Sequence, residues 1–431
     1  MSLYFYAYGE PKLVVLMIAS IIFNYCIALL IDKLSRYRNV CLIVSVILNI
    51  GILFVCKYLG WSIEILNSIF VKKIPAFNMA LPIGISFYTF QAMSYVIDVW
   101  KRVVPAQKNI INVGLYVSLF PQLVAGPIVR YTDIEKQIYK RSLSPEKWGS
   151  GIERFIIGFS KKVLLADSCS VIADKAFLMN SENSLGILFS WIGAIAYSLQ
   201  IYYDFSGYSD MAIGLGKMLG FSFLENFNYP YMASSITDFW RRWHISLSQW
   251  FRDYVYIPLG GNRHGTKRML VALGITWLST GIWHGANVTF LLWGCIYGTL
   301  IILEKLYEIP QKIQAGAAWK IPYRLFVLIV IVLCWVIFRS ENINLAIQYI
   351  ATMLGISGMT ENSGLEILYC LEFKWELLAG SVLCFPVIPW LRSHLKEKVS
   401  YVLLFLEFLL FVVSISYLIK GTYSPFIYFN F

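Results

Sequence analysis

Apolar residues recur along this chain in long runs separated by short polar stretches, the pattern of helices that cross a bilayer. The runs fall at 12–31, 39–59, 79–99, 110–129, 151–178, 185–216, 268–283, 285–304, 322–339, 373–391 and 400–420. Several hold Gly or Pro, and 185–216 exceeds the roughly 20 residues that a crossing needs. Tilted, broken or re-entrant helices are therefore expected among them. The predicted fold class is all-α, a polytopic integral membrane protein with about 11 transmembrane helices plus re-entrant and interfacial helices. No polar stretch is long enough for a second globular domain, so residues 1–431 are expected to form a single membrane domain. The first run ends in Asp32-Lys33 with no small-residue cleavage site behind it, and it reads as a retained span.

Composition agrees with this pattern. The chain is 58% hydrophobic and 14% charged, with a mean hydropathy of +0.63. Its net charge of +11 would suggest nucleic acid in a soluble protein. Here the basic residues cluster in short loops: Lys33, Arg36 and Arg38; Lys101, Arg102 and Lys108; Arg392, Lys396 and Lys398. That distribution places these loops on the cytoplasmic side of the cell membrane and the N-terminus outside, with lipid and not nucleic acid as the partner of the basic excess. The eight cysteines lie mostly in apolar stretches without CxxC spacing, so neither a disulfide framework nor a zinc site is indicated. P-loop, dinucleotide-binding, GxSxG and HExxH signatures are lacking, which removes the usual support for ATP-driven, dinucleotide, serine-esterase and zinc chemistry.

Against this apolar background, residues 237–263 read TDFWRRWHISLSQWFRDYVYIPLGGNR, and 281–287 read GIWHGAN. Ionisable groups near a bilayer are expensive, and a functional role is their default reading. On a helical wheel over 238–254, Phe239, Trp240, Trp243, Leu247, Trp250, Phe251 and Tyr254 share one side. Arg241, Arg242, Ser248, Gln249, Arg252 and Asp253 share the other, with His244 at the seam. Ser235, followed by Asp238, marks a helix start. An aromatic face opposite a basic one describes a helix lying in the membrane interface. It serves either as an anchor against lipid phosphate or as a ligand site. Pro258, Gly260 and Gly261 would then turn the chain and bring backbone amides to a ligand. Arg241, Arg242, Arg252, Arg263, Lys267 and Arg268 suit a phosphorylated carrier such as coenzyme A.

His284 lies between Gly281 and Gly285, with Trp283 before it and Asn287 after it, in an uncharged stretch from 269 to 303 that is too long for one crossing. Two segments are expected to meet near this histidine. Imidazole suits removal of a hydroxyl proton near neutral pH, and a packing role is the alternative. The run 200–214 places Asp204, Ser206, Ser209 and Asp210 among tyrosines. Those carboxylates could line a cavity, orient a histidine or bind a cation, or a break at Gly207 could expose them at the membrane surface. Segments 81–91 and 119–131, rich in Pro and Gly, are candidates for the wall of a cavity. His264 and His394 read as solvated.

Several segments together resemble the membrane-bound O-acyltransferase (MBOAT) superfamily, in the branch typified by the membrane subunit of alginate O-acetyltransferase. They are LPIGISFYTFQAMSYVIDV at 81–99, LVAGPIVRY at 123–131, YYDFSGYSDMAIG at 202–214, the whole of 226–263, TGIWHGAN at 280–287 and PFIYFNF at 425–431. The resemblance implies transmembrane and re-entrant helices around a central tunnel, and an acyl group taken on the cytoplasmic side and passed outward. It places the family histidine at His284 and the second motif histidine at His244. Arg241, Arg242, Arg252, Trp243, Asp204, Asp210 and Asn287 are, from their residue types and positions, the expected donor-binding or tunnel-lining residues. It implies acetyl-CoA as acyl donor, no bound cofactor or metal, and an extracytoplasmic polysaccharide as acceptor. A secreted or membrane-anchored acetyltransferase is the implied partner, because no such domain occurs in this chain. A related branch transfers D-alanine from a carrier protein to teichoic acid and is the second reading. A polysaccharide transporter or a scaffold, without chemistry of its own, is the non-enzymatic alternative.

Overall fold

The computed structural model describes residues 1–70, 73–77, 79–124, 126–356, 364–394, 397–420 and 425–426. Lys396 and the closing segment 427–431 lie outside the described residues, as do the side chains of Arg392 and Lys398. The regular elements are all helices, with no strand among the described residues. Among the described residues, four helices are long and apolar enough to cross a membrane: Val14–Lys33, Ser35–Lys57, Val288–Leu306 and Ala318–Arg339. The expected run 110–129 contains only two short helices, Ile110–Ser118 and Phe120–Leu123. The run 373–391 likewise divides into Lys374–Leu383 and Val387–His394. Neither makes one crossing helix, since about 20 residues are needed at 1.5 Å each. By contrast, 185–216 is one uninterrupted helix, Ile187–Met218.

The chain divides into two compact units, residues 1–152 with 212–224, and residues 153–211 with 225–431. In the first, the two spanning helices are joined by a polar layer deep in their apolar faces. Asn24 donates to the Asn49 side-chain oxygen at 3.1 Å, and Asn49 returns a bond to Asn24 at 2.9 Å. A reciprocal amide pair satisfies both groups where lipid offers them nothing, and it fixes the register of the two helices. In the same unit, Tyr95, Tyr116 and Tyr131 meet edge to face, with ring centroids 4.9–6.5 Å apart. The basic loops after the first span and after Ile85–Trp100 lie at one end of this unit. Arg38 donates to the Trp100 carbonyl and covers its ring at 5.3 Å.

In the second unit, close helix packing rests on glycine. The helices Thr266–His284 and Val288–Leu306 form a hairpin. A Cβ on Gly281 would lie 2.6 Å from the Phe290 carbonyl oxygen, and one on Gly294 would lie 2.7 Å from that of Trp277. Gly207 does not break its helix. A Cβ there would come within 2.7 Å of the Gly158 carbonyl oxygen, so it lets two backbones touch.

Gly207→Ala is therefore expected to destabilise the protein by about 1–3 kcal/mol. Gly274→Ala adds a methyl that meets nothing within 4 Å and is expected to be neutral or stabilising by up to about 1 kcal/mol. Thermal unfolding of both variants in one detergent checks this, and equal shifts would contradict the assigned contact.

Candidate active site

The segment that carries the arginines begins as the sequence predicts. Ser235 caps the helix Ile236–Arg242, its hydroxyl accepting from the Asp238 amide at 3.0 Å. Asp238 in turn accepts from the Ser234 amide at 2.9 Å and from Arg242 Nε at 2.9 Å. Burial alone would raise the Asp238 carboxyl, but those donors outweigh it and hold the group below its ordinary value.

The single amphipathic helix expected over 238–254 is not what forms. The chain breaks at His244, whose φ of 43° and ψ of 56° are left-handed, and a second helix, Ile245–Phe251, follows. A π-turn then runs over Arg252–Tyr256. The cause is a distant extended segment. Asn228 donates its amide to the Arg242 carbonyl at 2.9 Å, and the Asn226 carbonyl accepts from the Ile245 amide at 2.9 Å. These bonds take the place of the helical ones across the break. Left-handed backbone at a residue other than glycine costs of order 1–3 kcal/mol and concentrates at functional sites. The break also redirects the aromatic face. Phe239, Trp240, Trp243 and Trp250 are all buried within the unit, so this face packs on protein and not on lipid. Trp243 lies 4.8 Å from Trp335 and 5.0 Å from Phe227 between ring centroids.

His244 is 1% exposed. Its Nδ1 lies 3.1 Å from Asn226 Oδ1, which also accepts from the Ser246 amide at 3.2 Å and hydroxyl at 2.9 Å. Because that oxygen takes bonds from an obligate N–H donor, Nδ1 carries the hydrogen in this pair and Nε2 is left as the acceptor nitrogen. Asn226 Nδ2 donates onward to Ser209 at 3.1 Å, tying the histidine to the polar island of the long helix. Burial pushes the His244 imidazole down to about 3, so it is neutral at physiological pH.

His284 ends the helix Thr266–His284 and is 5% exposed. Trp283, Trp293 and Phe338 stand around its ring at 5.0–5.1 Å, edge on. The Trp283 ring is also 6.2 Å from that of His244. The two histidines, forty residues apart in sequence, thus flank a single indole. The two segments meet at Gly285, as the sequence indicates, and Asn287 caps the second by accepting from the Thr289 amide at 3.1 Å. Its amide nitrogen donates to the Glu341 carbonyl at 2.8 Å, so Asn287 holds the turn.

Other predicted residues are placed differently. Asp210 is buried and receives Arg154 Nε at 2.7 Å and Lys161 Nζ at 2.6 Å. Asp204 is buried 3.4 Å from Lys162 Nζ. Both carboxylates therefore sit in the membrane protein's interior as partners of cations, and neither is exposed by a break at Gly207. Among the arginines, Arg241 and Arg252 are exposed, and Arg252 pairs with the neighbouring Asp253 at 2.8 Å. Gly260 and Gly261 do turn the chain with positive φ, but their amides donate to the Ile257 and Tyr256 carbonyls and not outward.

Sequence reading missed Asn226, which orients His244, and Glu304. The latter, 3% exposed, receives the Ile236 amide at 2.7 Å, the Thr237 amide at 2.8 Å, the Thr237 hydroxyl at 2.6 Å and the Tyr323 hydroxyl at 2.7 Å. A lone acid at the end of an apolar run was the available signal. In the first unit, Gln91 is wholly buried, and neither its polar side-chain atoms nor the Tyr88 hydroxyl has a hydrogen-bond partner among the described residues. These fall in one of the Gly- and Pro-rich segments expected to wall a cavity.

Two buried histidines beside one indole, on a helix hairpin and an arginine-bearing break, form the candidate active site. The family model for membrane-bound O-acyltransferases matches residues 101–346, and the chain belongs to that family. It is 42% identical over 370 residues to the probable alginate O-acetylase AlgI of Azotobacter vinelandii, covering 83% of this chain and 72% of that protein. Against the protein of the same name from Pseudomonas putida, identity is 36% over 467 aligned positions, covering 100% of this chain and 93% of the other. The peptidoglycan O-acetyltransferase of Helicobacter pylori is 34% identical over 395 positions, covering 83% and 73%. The chain is an O-acyltransferase of the membrane.

Two outcomes follow from this geometry. The stability that His244 contributes by staying neutral is complete above pH 6.5, its unperturbed value, and is lost as pH falls toward about 3. The slope is at most about 1.4 kcal/mol per pH unit. Thermal midpoints in detergent should therefore fall more steeply on acidification for the wild type than for His244→Gln, and parallel curves would contradict the neutral assignment. Glu304→Ala strands two amides and is expected to cost at least about 3 kcal/mol, whereas Glu304→Gln, which keeps an acceptor, is expected to cost less in the same assay.

Proposed function

We propose that this O-acyltransferase takes an acetyl group from acetyl-CoA at the cytoplasmic face and passes it across the membrane for O-acetylation of an extracytoplasmic polysaccharide. A ring nitrogen of His284 removes the proton of the attacking hydroxyl. The oxygen then forms a bond to the thioester carbonyl carbon, the C–S bond breaks, and the coenzyme thiolate departs. The observation that supports this reading most is the pairing of two buried histidines across Trp283. An apolar enclosure of that kind keeps water from the thioester and strengthens each polar contact made to the reacting atoms.

His244 has a different part. A neutral ring depressed to about 3 is a weak base near pH 7 but a fixed hydrogen-bond acceptor. Held through Nδ1 by Asn226, it orients the donor or the acceptor hydroxyl through Nε2. Arg241 and Arg252 face the donor's phosphates, and Arg242 contributes from its bond to Asp238. Trp243 lines the path, while Asp204 and Asp210 hold its cationic wall of Lys162, Lys161 and Arg154 in place. The relatives' names supply the acceptor class, a cell-surface polysaccharide such as alginate or peptidoglycan. A secreted or membrane-anchored acetyltransferase receives the acetyl group from this chain and completes delivery, and the enzyme resides in the inner membrane.

The test is the O-acetyl content of the surface polymer in cells lacking the protein, complemented with wild type or His284→Ala at equal membrane abundance. The variant is expected to restore acetylation at a rate lower by about 10²–10⁴. Equal restoration by both would overturn the assignment and favour a transporter or scaffold.

A further inference from the structure

A second polar site lies far from these histidines in sequence, in the first compact unit. A cavity of about 350 Å³ opens between the loop after the first span and the turn after the helix Ile85–Trp100, and Asp32, Ser35, Arg38, Trp100 and Arg102 are among its lining residues. We propose that this cavity binds the zwitterionic head group of a membrane phospholipid, with Arg38 and Arg102 on the phosphodiester and Asp32 on a head-group primary amine.

Three observations carry the proposal. Opposite charges line one cavity without neutralising each other. Neither Asp32 nor Arg102 forms an ion pair among the described residues. Two cations and a carboxylate set apart around a gap complement a ligand that itself carries a separated anion and cation.

The site is also partly preorganised. Arg38 is fixed by its bond to the Trp100 carbonyl and by its place 5.3 Å over the indole. The indole is itself held by a 2.9 Å bond from Nε1 to Asn39. Arg102 occupies the left-handed position just past the helix end, with φ of 60°, where glycine is the usual residue. Its amide donates to the Val99 carbonyl at 3.0 Å, and that of Val103 to the Asp98 carbonyl at 2.9 Å, which locks the turn. A bulky cation kept in a backbone state that disfavours side chains points to a use for the guanidinium.

Finally, the position favours lipid over a soluble phosphate. Asp32 and Ser35 stand where the spanning helices Val14–Lys33 and Ser35–Lys57 join, the level at which head groups lie. Ile31, Val99 and Val103 complete the lining with apolar surface, and Val103 is 60% exposed, suited to the start of an acyl chain.

Native mass spectrometry of the full-length protein, delipidated and then offered phosphatidylethanolamine or phosphatidylglycerol, tests this. The wild type is expected to retain phosphatidylethanolamine about tenfold better. Arg102→Gln is expected to weaken both lipids by about tenfold, the scale of one charge-assisted hydrogen bond. Asp32→Asn is expected to abolish the preference, and Asp32→Glu, which keeps the carboxylate, to preserve it. Equal retention of the two lipids by the wild type would overturn the proposal, as would a preference that survives Asp32→Asn. Displacement of the lipid by an equal concentration of soluble phosphoethanolamine would overturn the lipid as the source of the ligand.

Discussion

Glu304 and Lys305, consecutive in the last turn of the spanning helix Val288–Leu306, hold the two ends of the segment that carries the arginines and His244. Glu304 accepts the amides of Ile236 and Thr237 at its start. Lys305 donates to the Tyr256 hydroxyl at 3.0 Å and to Asn262 at 2.9 Å near its end, with its ammonium 5.2 Å over the Tyr256 ring. A carboxylate taken out of water needs nearly all of its acceptor capacity filled. Here the fillers are the otherwise unbonded amides of a helix start, so each group removes the other's desolvation cost. The same helix begins next to Asn287, three residues after His284. One rigid rod therefore sets the distance between the two histidine-bearing elements, and the short helices of 7 residues on the arginine segment need no stability of their own.

Between those fixed points the site is built from aromatic edges. Trp240 meets Trp277, Trp293 and Tyr297 at 4.8–5.4 Å, and Trp293 meets His284 at 5.0 Å. Edge-to-face contacts are directional, so rings of this kind hold neighbouring groups in place more firmly than aliphatic side chains would. They also keep the surroundings of both imidazoles apolar. That environment favours the neutral form of His244, and the bond its Nδ1 donates to Asn226 decides which nitrogen accepts. Orientation and protonation thus come from two separate sources, the amide and the burial.

Much of this architecture was legible where the determining contacts are local. The Ser235 cap, the turn at Gly260 and Gly261, and the helix hairpin meeting near His284 all depend on residues within a few positions of one another. The continuous helix over 238–254 was not legible as wrong, because the break is imposed by Asn226 and Asn228, which compete for its backbone groups from outside the periodic pattern. Gly207 reads as a breaker from its propensity, yet it serves a helix crossing with Gly158 that only the fold creates. Two of the expected spans are divided for a similar reason. Hydropathy sums over 110–129 and 373–391 record composition but not the breaks at Leu119 and just before Val387 that divide them.

The acidic residues show the same limit and give it a chemical meaning. Asp204 and Asp210 read in sequence as groups that could line a cavity, orient a histidine or bind a cation, since isolated carboxylates in apolar runs are costly. Their cost is met by Lys162, Lys161 and Arg154, about fifty residues upstream, along a helix that passes through a π-turn at Lys161–Ala166. A π-turn inserts an extra residue into the helical ladder and resets which side chains face a neighbour. Adjacent lysines can then both reach carboxylates that lie six residues apart on the facing helix. Once these acids are committed to cations, His284 and His244 are left as the groups on this unit suited to proton transfer and to orientation. The proposed chemistry thus falls where aromatic rings, and not an ion pair, surround the imidazoles.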